Sequence, residues 1–421
     1  MLRRLYSLIM LIAYPLLLLY TLNKSRQEPR YRQNLSERLG FAPQLDGCIW
    51  IHCVSLGETI AAKPLIVKLQ QHYPDTPLLI TNTTATGSLA ADGLLRDMDR
   101  RCFLPYDTNG SMRRFFNRTR PKVGIIMETE LWPNLFHQAK KHNIPTIVNN
   151  ARLSARSAKG YQRIHSIMRE ILTNVSCINS QTQDDADRFI ALGLDPAKSR
   201  VSGNLKFDLT LAADLPETAR ALRESWGPEP IWIAASSHAG EEELILQAHT
   251  LIRKRCPQAR LLLVPRHPNR FDEVYDLTKQ HGFATARFSE TAAVTDQPVI
   301  LGDAMGKMMV FFAATDIVFM CGSLAPIGGH NFIEPAVLSK PLISGRHLHN
   351  FSQISQQLIK KDALILAETA EKIADTVVHL IQNEEECRVR GSRAKALAAQ
   401  NTGACEKQLA CVQELMGPAL K

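Results

Sequence analysis

Along most of the chain, short apolar runs alternate with longer segments in which apolar residues recur every three or four positions. Such runs predict buried strands, and the segments between them predict the crossover helices of a parallel sheet. In the first half the predicted strands are Cys48–Val54, Pro77–Thr81, Arg101–Leu104, Val123–Met127, Thr146–Val148 and Cys177–Asn179. In the second half they are Ile231–Ala235, Arg260–Val264, Val299–Leu301, Ile317–Met320 and Pro341–Ile343. The pattern indicates an α/β protein with two doubly wound domains.

A polar, proline-containing stretch, Leu209–Pro216, separates the two series of strands. We therefore predict one domain over residues 25–208 and a second over 209–421, the latter ending in charged helices from Thr369 onward without a strand signal. Two doubly wound domains that face each other leave a cleft at the carboxyl ends of their strands, where such sheets bind ligands. The chemistry is expected in the loops that follow the strands.

The N-terminal segment from Leu5 to Leu22 is almost wholly apolar on every face and reaches the ~17-residue lower limit for crossing hydrocarbon. Lys24 and Arg26 follow directly, with no small-residue cleavage site, so retention is favoured over removal as a signal peptide. Residues 1–24 are predicted to be a membrane anchor, with the body of the protein on the cytoplasmic side. The pattern leaves open whether the helix spans the membrane or lies in its interface.

Charge narrows the class of partners. The 421-residue chain has a formal net charge of +9, which favours a membrane surface, nucleic acid or an acidic small molecule. Nucleic acid is not expected, because the arginines lack interleaved aromatic residues and no binding motif is present. The nine cysteines contain no C-x-x-C pair, so no metal site is predicted and a reducing compartment is favoured.

Acidic residues follow two strands of the first domain. Gly57 predicts a tight turn and Glu58 then stands at the start of a helix over Thr59–Gln71, where it either stabilises the helix N-terminus or accepts a proton from a substrate hydroxyl. Glu128 and Glu130 follow the strand Val123–Met127, and two neighbouring carboxylates are costly without compensation. We interpret Glu130 as an acid of the next helix start and Glu128 as a functional candidate.

Arg152 and Arg156 lie four residues apart among small hydroxyl residues. This spacing fits an anion site and, equally well, a solvated helix start.

In the second domain, the small residues Ala235 to Ser237 lead from a strand to a helix, a geometry that holds phosphate on backbone N–H groups. Arg266 and His267 stand between two prolines at another strand end, and the prolines restrict the loop that aims the guanidinium. The run from Gly328 to Glu334 places a flexible turn before a helix. Glu334 either contacts ribose hydroxyls or forms a capping box with Asn331, and both can hold together.

Together these motifs resemble the Kdo (3-deoxy-D-manno-octulosonic acid) transferase family over nearly the whole chain and in the same order. The matching segments are Ser55–Glu58, Met127–Pro133, Asn150–Ser157, Gly203–Asp208, Pro265–Pro268, Asp303–Gly306 and Gly328–Pro335. The resemblance implies a GT-B fold and an inverting transferase with Glu58 as general base and Glu128 and Lys206 stabilising the transition state. It implies that CMP is bound by Pro265, Arg266, His267, Met305, Gly306, Lys307, Asn331, Phe332, Ile333 and Glu334.

The reaction implied by the resemblance moves Kdo from CMP-Kdo onto the lipid A precursor, lipid IV-A, at the cytoplasmic leaflet of the inner membrane. No metal and no cofactor are expected, because cations and backbone N–H groups are sufficient for a monophosphate leaving group. Two alternatives remain: an enzyme that uses a UDP-sugar, either a transferase or an epimerase, and a non-catalytic nucleotide-sugar sensor. A base in the opposite domain argues against the sensor.

Overall fold

The chain divides into two compact units, Met1–Asp208 with Asn401–Lys421, and Leu209–Gln400. The computed structural model describes residues 2–26, 28–32, 34–208, 211–290 and 297–417, without the side chain of Gln353. Met1, at the start of the expected anchor, and Leu209 and Thr210, at the start of the expected linker, lie outside the described residues. The first division, after Asp208, coincides with the boundary expected from the sequence.

The first unit is built on a seven-stranded parallel sheet of order β3-β2-β1-β4-β5-β6-β7. Its strands are β1 (Ile49–His52), β2 (Leu78–Asn82), β3 (Arg100–Phe103), β4 (Val123–Met127), β5 (Thr146–Ala151), β6 (Cys177–Ser180) and β7 (Ser199–Val201). Its helices are α1 (Leu2–Lys24), α2 (Leu56–His72), α3 (Ala85–Asp92), α4 (Asn109–Thr119), α5 (Pro133–Lys141), α6 (Ala155–Gln162), α7 (His165–Asn174) and α8 (Gln183–Ala191).

Both faces of the central part of this sheet are buried, which explains why the neighbouring strands β1 and β4 are almost wholly apolar. Ile49 and Ile51 of β1 belong to a core cluster on one face that also includes Leu65 of α2. Trp50, between them, points to the other face and packs with Phe115 and Phe116 of α4. Alternate residues of each strand thus serve two cores, and the helices cover the sheet on both sides.

The second unit repeats the plan with strand order β10-β11-β9-β8-β12-β13-β14, again parallel. Its strands are β8 (Ile231–Ser237), β9 (Arg260–Pro265), β10 (Thr285–Arg287), β11 (Val299–Leu301), β12 (Ile317–Met320), β13 (Leu342–Ser344) and β14 (Leu364–Leu366). Its helices are α9 (Leu215–Trp226), α10 (Glu241–Arg255), α11 (Phe271–Gln280), α12 (Met308–Ala314), α13 (Ile333–Val337), α14 (Ser352–Lys360), α15 (Ala370–Gln382) and α16 (Glu384–Gln400).

The sequence pattern identified the central strands and missed three strands at sheet edges, β7, β10 and β14. Each of these has three residues and one strand neighbour. A short edge strand needs few apolar residues, so β7 and β10 have almost no apolar signal. The central strands, including the three-residue β11 and β13, are buried on both faces and therefore need apolar residues, which makes them visible in the sequence.

The last helix, α17 (Ala404–Met416), packs on the first unit, so the assignment of residues 401–421 to the second domain was wrong. Ala404, Leu409 and Val412 join the core cluster that contains β1 and α2. The Asp208 carboxylate accepts hydrogen bonds from the backbone N–H groups of Gly403 and Cys405, which stabilises the start of this helix. Its charged surface residues carried no information about which unit its apolar face would join.

Candidate active site

In the first unit, the residues expected to do chemistry meet at one edge of the sheet. All seven strands are parallel, so the loops after β1, β4 and β7 leave the sheet on the same side. Glu58 follows β1, Glu128 follows β4 and Lys206 follows β7. The fold therefore brings the three predicted catalytic residues to the carboxyl edge of one sheet.

Glu58 stabilises the start of α2 by a reciprocal set of hydrogen bonds. Ser55 is the N-cap residue, and its hydroxyl accepts from the Glu58 backbone N–H at 3.4 Å. The Glu58 carboxylate accepts from the Val54 N–H at 2.7 Å and from the Ser55 hydroxyl at 3.1 Å. Gly57 lies inside the first turn of the helix and makes no tight turn, contrary to expectation, because α2 begins earlier, at Leu56. The capping role of Glu58 is thus real, and it fixes the position of the carboxylate.

The same carboxyl group has a strongly altered acidity. Burial raises the pKa of Glu58 to about 7, opposed by the Val54 N–H hydrogen bond and assisted by the negative charge of Glu128. Glu58 is 8% exposed. A carboxyl group with a pKa near 7 accepts and releases protons at neutral pH, which is the property required of a general base. Its held position and its pKa together fit the role assigned from the sequence.

Two residues at this edge adopt the left-handed backbone conformation that favours glycine. Glu128 has φ of 56° directly after β4, and its N–H donates to the Asn149 carbonyl at 2.8 Å. Asn150 also has φ of 56°, beside an irregularity in the pairing of β5 with β6. Strained backbone of this kind concentrates at functional sites. The conformation sets where the Glu128 side chain leaves the strand.

Lys206 lies in a 3₁₀ turn, Leu205–Phe207, and is exposed. The Asn204 side chain accepts from the Lys206 N–H at 3.0 Å, and the Asn150 side chain accepts from the Leu205 N–H at 3.0 Å. Asn150, which is fully buried, therefore links the end of β5 to the turn that carries the lysine. Sequence reasoning placed Asn150 in a motif without giving it this positioning role.

The interpretation of Glu130 was wrong. Its carboxylate accepts from the Trp132 indole N–H at 2.7 Å and contacts no backbone N–H of α5. Asp107, from the loop after β3, stabilises the start of α5 by accepting from the Asn134 and Leu135 N–H groups at 3.0 and 2.7 Å. A cap from a distant part of the chain has no local sequence pattern.

For the arginine pair, the structure agrees with the helix-start interpretation. Ser154 is the N-cap residue of α6 and accepts from the Ser157 N–H at 3.1 Å. Arg152 and Arg156 are exposed on either side of it.

In the second unit, the loops after β8, β9, β11 and β12 likewise leave the sheet at its carboxyl edge. The buried carboxylate of Glu241 connects the loop after β8 to the loop after β12 by hydrogen bonds. It accepts from the His238 N–H at 3.1 Å and from the Gly322, Ser323 and Leu324 N–H groups at 2.8 to 3.0 Å. Sequence reasoning did not single out Glu241, and the only available signal was a run of three glutamates at the start of α10.

Arg266 and a cluster of three histidines lie at this edge. Arg266 is exposed directly after β9, and its N–H donates to the Ser237 carbonyl at 3.0 Å. His238 and His330 stack with their Nε2 atoms 3.0 Å apart, and the His267 ring meets His238 edge-on. Burial, with the nearby His238 and Arg266, lowers the pKa of His330 to about 4. His238, whose pKa is also lowered by burial, and His330 thus lie as neutral imidazoles beside the exposed Arg266 guanidinium, and together they offer hydrogen bonds and a positive charge to an anionic ligand.

The turn between β12 and α13 needs glycine. Gly322 has φ of 70°, and a Cβ atom there would lie 2.8 Å from the His330 ring. The Asn331 side chain accepts from the Ile333 N–H and donates to the Glu334 carboxylate, both at 3.1 Å. Burial raises the pKa of Glu334, opposed by Asn331 and Arg266. Asn331 thus orients Glu334 while it stabilises the helix start.

The remaining predicted CMP-binding residues divide by exposure. Met305, Gly306 and Lys307 are exposed after β11, with Gly306 at φ of 75°. The side chains of Pro265, Phe332 and Ile333 are buried in the protein. These last three offer a ligand mainly their backbone groups.

Within the described ranges, no group of three or more His, Cys, Asp or Glu side chains is arranged to hold a metal ion.

Two doubly wound units, each built on a parallel sheet, are the architecture of the GT-B fold class. A solved structure of this class, UDP-GlcNAc 2-epimerase from Neisseria meningitidis, is 15% identical and matches 87% of this chain and 99% of that chain with a TM-score of 0.59. At that identity the likeness establishes the fold and leaves the reaction open.

The family follows from sequence. The family model for 3-deoxy-D-manno-octulosonic-acid transferase matches residues 33–209. The chain is 39% identical to the 3-deoxy-D-manno-octulosonic acid transferase of Haemophilus influenzae, covering 99% of this chain and 98% of that protein. It is 34% identical to the Bordetella pertussis transferase, covering 88% and 87%. The chain belongs to the Kdo transferase family, as the motifs indicated.

Proposed function

We propose that this Kdo transferase takes the sugar from CMP-Kdo and adds it to lipid IV-A, the lipid A precursor, with inversion at the anomeric carbon and without a metal ion. The observation that carries the proposal is Glu58, a buried carboxyl group with a pKa near 7, fixed in position after a central strand. Membership of the family supports the transferred sugar.

In the proposed reaction, the oxygen of the acceptor hydroxyl attacks the anomeric carbon of Kdo while the Glu58 carboxylate removes the proton from that hydroxyl. The bond from that carbon to the CMP phosphate breaks, and the transition state has oxocarbenium character. Lys206 and Arg266 offset the negative charge that develops on departing CMP. Glu128 stabilises the positive charge on the sugar, and its conformation after β4 supports a positioned role.

Donor binding is assigned to the second unit. The backbone around Pro265, Phe332 and Ile333 supplies hydrogen bonds. Arg266 and Lys307 supply positive charge, and the His267 ring supplies a further hydrogen bond. Met305 and Gly306, which lie in the exposed loop after β11, are assigned to contact with the nucleotide. Asn331 orients Glu334 towards the ribose hydroxyls.

The location proposed is the cytoplasmic leaflet of the inner membrane. In the part of the chain that the structure describes, one helix, Leu2–Lys24, is long and apolar enough to cross a membrane by length and composition. A lipid acceptor requires the enzyme to work at a membrane surface.

The test of the proposed function is direct. Purified protein is incubated with CMP-Kdo and a tetraacylated lipid IV-A acceptor, and the products are weighed by mass spectrometry. We expect an acceptor heavier by one or more Kdo residues, and release of CMP. A parallel incubation with UDP-GlcNAc should give no product. Transfer from the UDP-sugar alone would contradict the proposed donor.

Transfer is expected to continue in the presence of excess EDTA. The monophosphate leaving group carries less charge than a pyrophosphate, and Lys206, Arg266 and backbone N–H groups are available to neutralise it. The measurement is the initial rate with and without chelator. A loss of activity that added magnesium or manganese restores would contradict metal independence.

Replacement of Glu334 by alanine is expected to raise the KM for CMP-Kdo and to weaken CMP binding, with kcat nearly unchanged. A ribose contact is equal in the ground and transition states, so it contributes uniform binding. The matched control is Glu371→Ala, which removes another first-turn acid in the same unit. A large fall in kcat at saturating donor would instead place Glu334 in the chemical step.

A further inference from the structure

Helix α1 has two different faces in the folded protein, although its sequence is apolar all round. Its half-buried or buried positions recur at helical spacing, among them Arg3, Ser7, Met10, Tyr14, Leu17 and Thr21. The opposite face is exposed from end to end. A burial pattern with this period shows that the whole helix lies along a protein surface.

Hydrogen bonds hold α1 to the first unit from its first turn to its last. Arg3 pairs with Glu170 of α7 at 2.8 Å, and the Ser7 hydroxyl donates to Asn134 of α5 at 2.7 Å. Farther along, the Tyr106 hydroxyl donates to the Leu17 carbonyl at 3.1 Å and also contacts the Thr21 hydroxyl. The contacts cover about five turns, the full length available for crossing a bilayer.

This arrangement conflicts with a helix that spans the membrane. A spanning helix would carry the packed surfaces of α5 and α7, with Asn134 and Glu170, into hydrocarbon, where polar groups lose their water. A helix that lies in the membrane interface instead keeps these groups on the protein side. Resting on the membrane location proposed above, we propose that α1 lies parallel to the bilayer surface, with its free face in the acyl chains of an anionic phospholipid membrane.

The chemistry of the free face fits this partner. Leu5, Leu8, Ile12, Leu16 and Leu19 are each between 53% and 70% exposed. The helix carries no charge between Arg4 and Lys24. An apolar stripe of this length is the feature of helices that insert in the interface.

Cations stand at both ends of the stripe. Arg4 and Arg26 are exposed and free to meet anionic headgroups, as is Arg32 shortly after the helix. Arg30 is paired with Asp92, and the Lys24 ammonium lies over the Tyr31 ring at 4.7 Å, so both are partly committed within the protein. Each free cation near an anionic surface adds to the electrostatic attraction between the protein and the membrane.

Topology labelling tests the orientation. Leu2→Cys and Asn23→Cys place a thiol at either end of α1, at exposed positions, and eight of the nine native cysteines are buried. Each variant is treated with a membrane-impermeant maleimide in intact spheroplasts and in inside-out inner-membrane vesicles, with the wild-type chain as background. We expect both thiols to react only in the inside-out vesicles. Labelling of the two positions from opposite sides would overturn the in-plane helix and leave the membrane location standing.

Binding to lipid vesicles tests whether the exposed apolar face of α1 is the surface that meets the membrane. The double variant Ile12→Asp with Leu16→Asp puts two charges on the free face, and binding to vesicles of phosphatidylethanolamine and phosphatidylglycerol should weaken at least roughly 100-fold. The control, Ile359→Asp, is 39% exposed on the second unit and should bind as wild type does. Circular dichroism and melting should be unchanged in both.

The other outcomes each overturn a different statement. If the wild-type protein fails to bind vesicles, the proposed membrane location itself is wrong. If wild type binds and the double variant binds equally well, another surface meets the membrane. If the double variant abolishes self-association in sedimentation velocity while vesicle binding persists, a second copy of this chain covers the stripe.

Discussion

Replacement of Glu58 by glutamine is expected to reduce kcat for Kdo transfer roughly 10²- to 10⁴-fold, with the affinity for CMP unchanged. The amide oxygen can still accept the Val54 N–H, so the helix start is kept while the base is lost. The affinity is unchanged because the nucleotide is assigned to the other unit. Turnover within a few-fold of wild type would remove Glu58 from the mechanism.

The pH dependence of kcat/KM provides a second test of Glu58 as the general base. The base must be ionised, so kcat/KM of the wild-type enzyme should fall about tenfold per unit as pH drops below the Glu58 pKa of about 7. The glutamine variant should lack this limb. A wild-type kcat/KM that does not change between about pH 5.5 and pH 7.5, a range of about two pH units, would contradict the raised pKa of Glu58.

The melting temperature of the Glu58→Gln variant distinguishes the loss of a catalytic group from misfolding. The folded-state pKa of Glu58 lies above its ordinary value of 4.5, so the folded protein holds this proton more tightly than the unfolded chain. The bound proton on Glu58 therefore stabilises the folded protein. This stabilisation is complete at pH values below 4.5 and is lost as the pH rises through about 7. Above pH 7 the neutral glutamine should therefore leave the melting temperature unchanged or raise it. A lower melting temperature there would attribute lost activity to misfolding.

A matched control exists in the same unit. Asp185, at the start of α8, also accepts from its N-cap hydroxyl, Thr182, and from a loop N–H, that of Leu153 at 2.8 Å. Asp185→Asn thus disturbs an equivalent cap without touching the proposed base. We expect nearly normal turnover, and a loss as large as that of Glu58→Gln would show that capping alone explains the effect.

Removal of Met1 to Leu22 is expected to weaken binding to anionic vesicles by at least roughly a thousandfold. Burying one Leu or Ile side chain is worth about 1.5 to 3 kcal/mol, and the deletion removes more than five exposed ones. Sedimentation with vesicles, at low and high salt, measures the change. Arg26 and Arg32 should leave a weak attraction that salt abolishes.

The truncated protein should remain folded and active on acceptor dispersed in detergent. Both sheets begin after the helix, and Asp107 keeps its bonds to the start of α5 without it. The uncovered Tyr106 and Asn134 become solvated, so the melting temperature should fall modestly. Activity on acceptor embedded in bilayers should drop. Persistent sedimentation at high salt would mean that another apolar surface holds the protein to the membrane.

Much of the candidate site was predictable because parallel sheets place their ligand-binding loops at strand ends. The apolar run Val123–Met127 identified a central strand, and Glu128 was singled out because it follows that strand. The raised pKa of Glu58 was not predictable from the sequence, since it depends on burial and on a second carboxylate brought close by folding. The same holds for Glu241, whose importance lies in four backbone N–H groups, three of them from a loop about eighty residues away.

By itself, the sequence determined the two doubly wound units, their boundary after Asp208 and the family, because these depend on long apolar runs and on local motifs. Tertiary structure decided what depends on distant partners. It placed α17 on the first unit through its apolar face and Asp208, supplied Asp107 in place of Glu130 at the start of α5, and gave α1 a packed face and a free one. A helix that is apolar on every side does not itself specify which side is buried. The protein surface against which it packs therefore decides which side remains free to meet lipid.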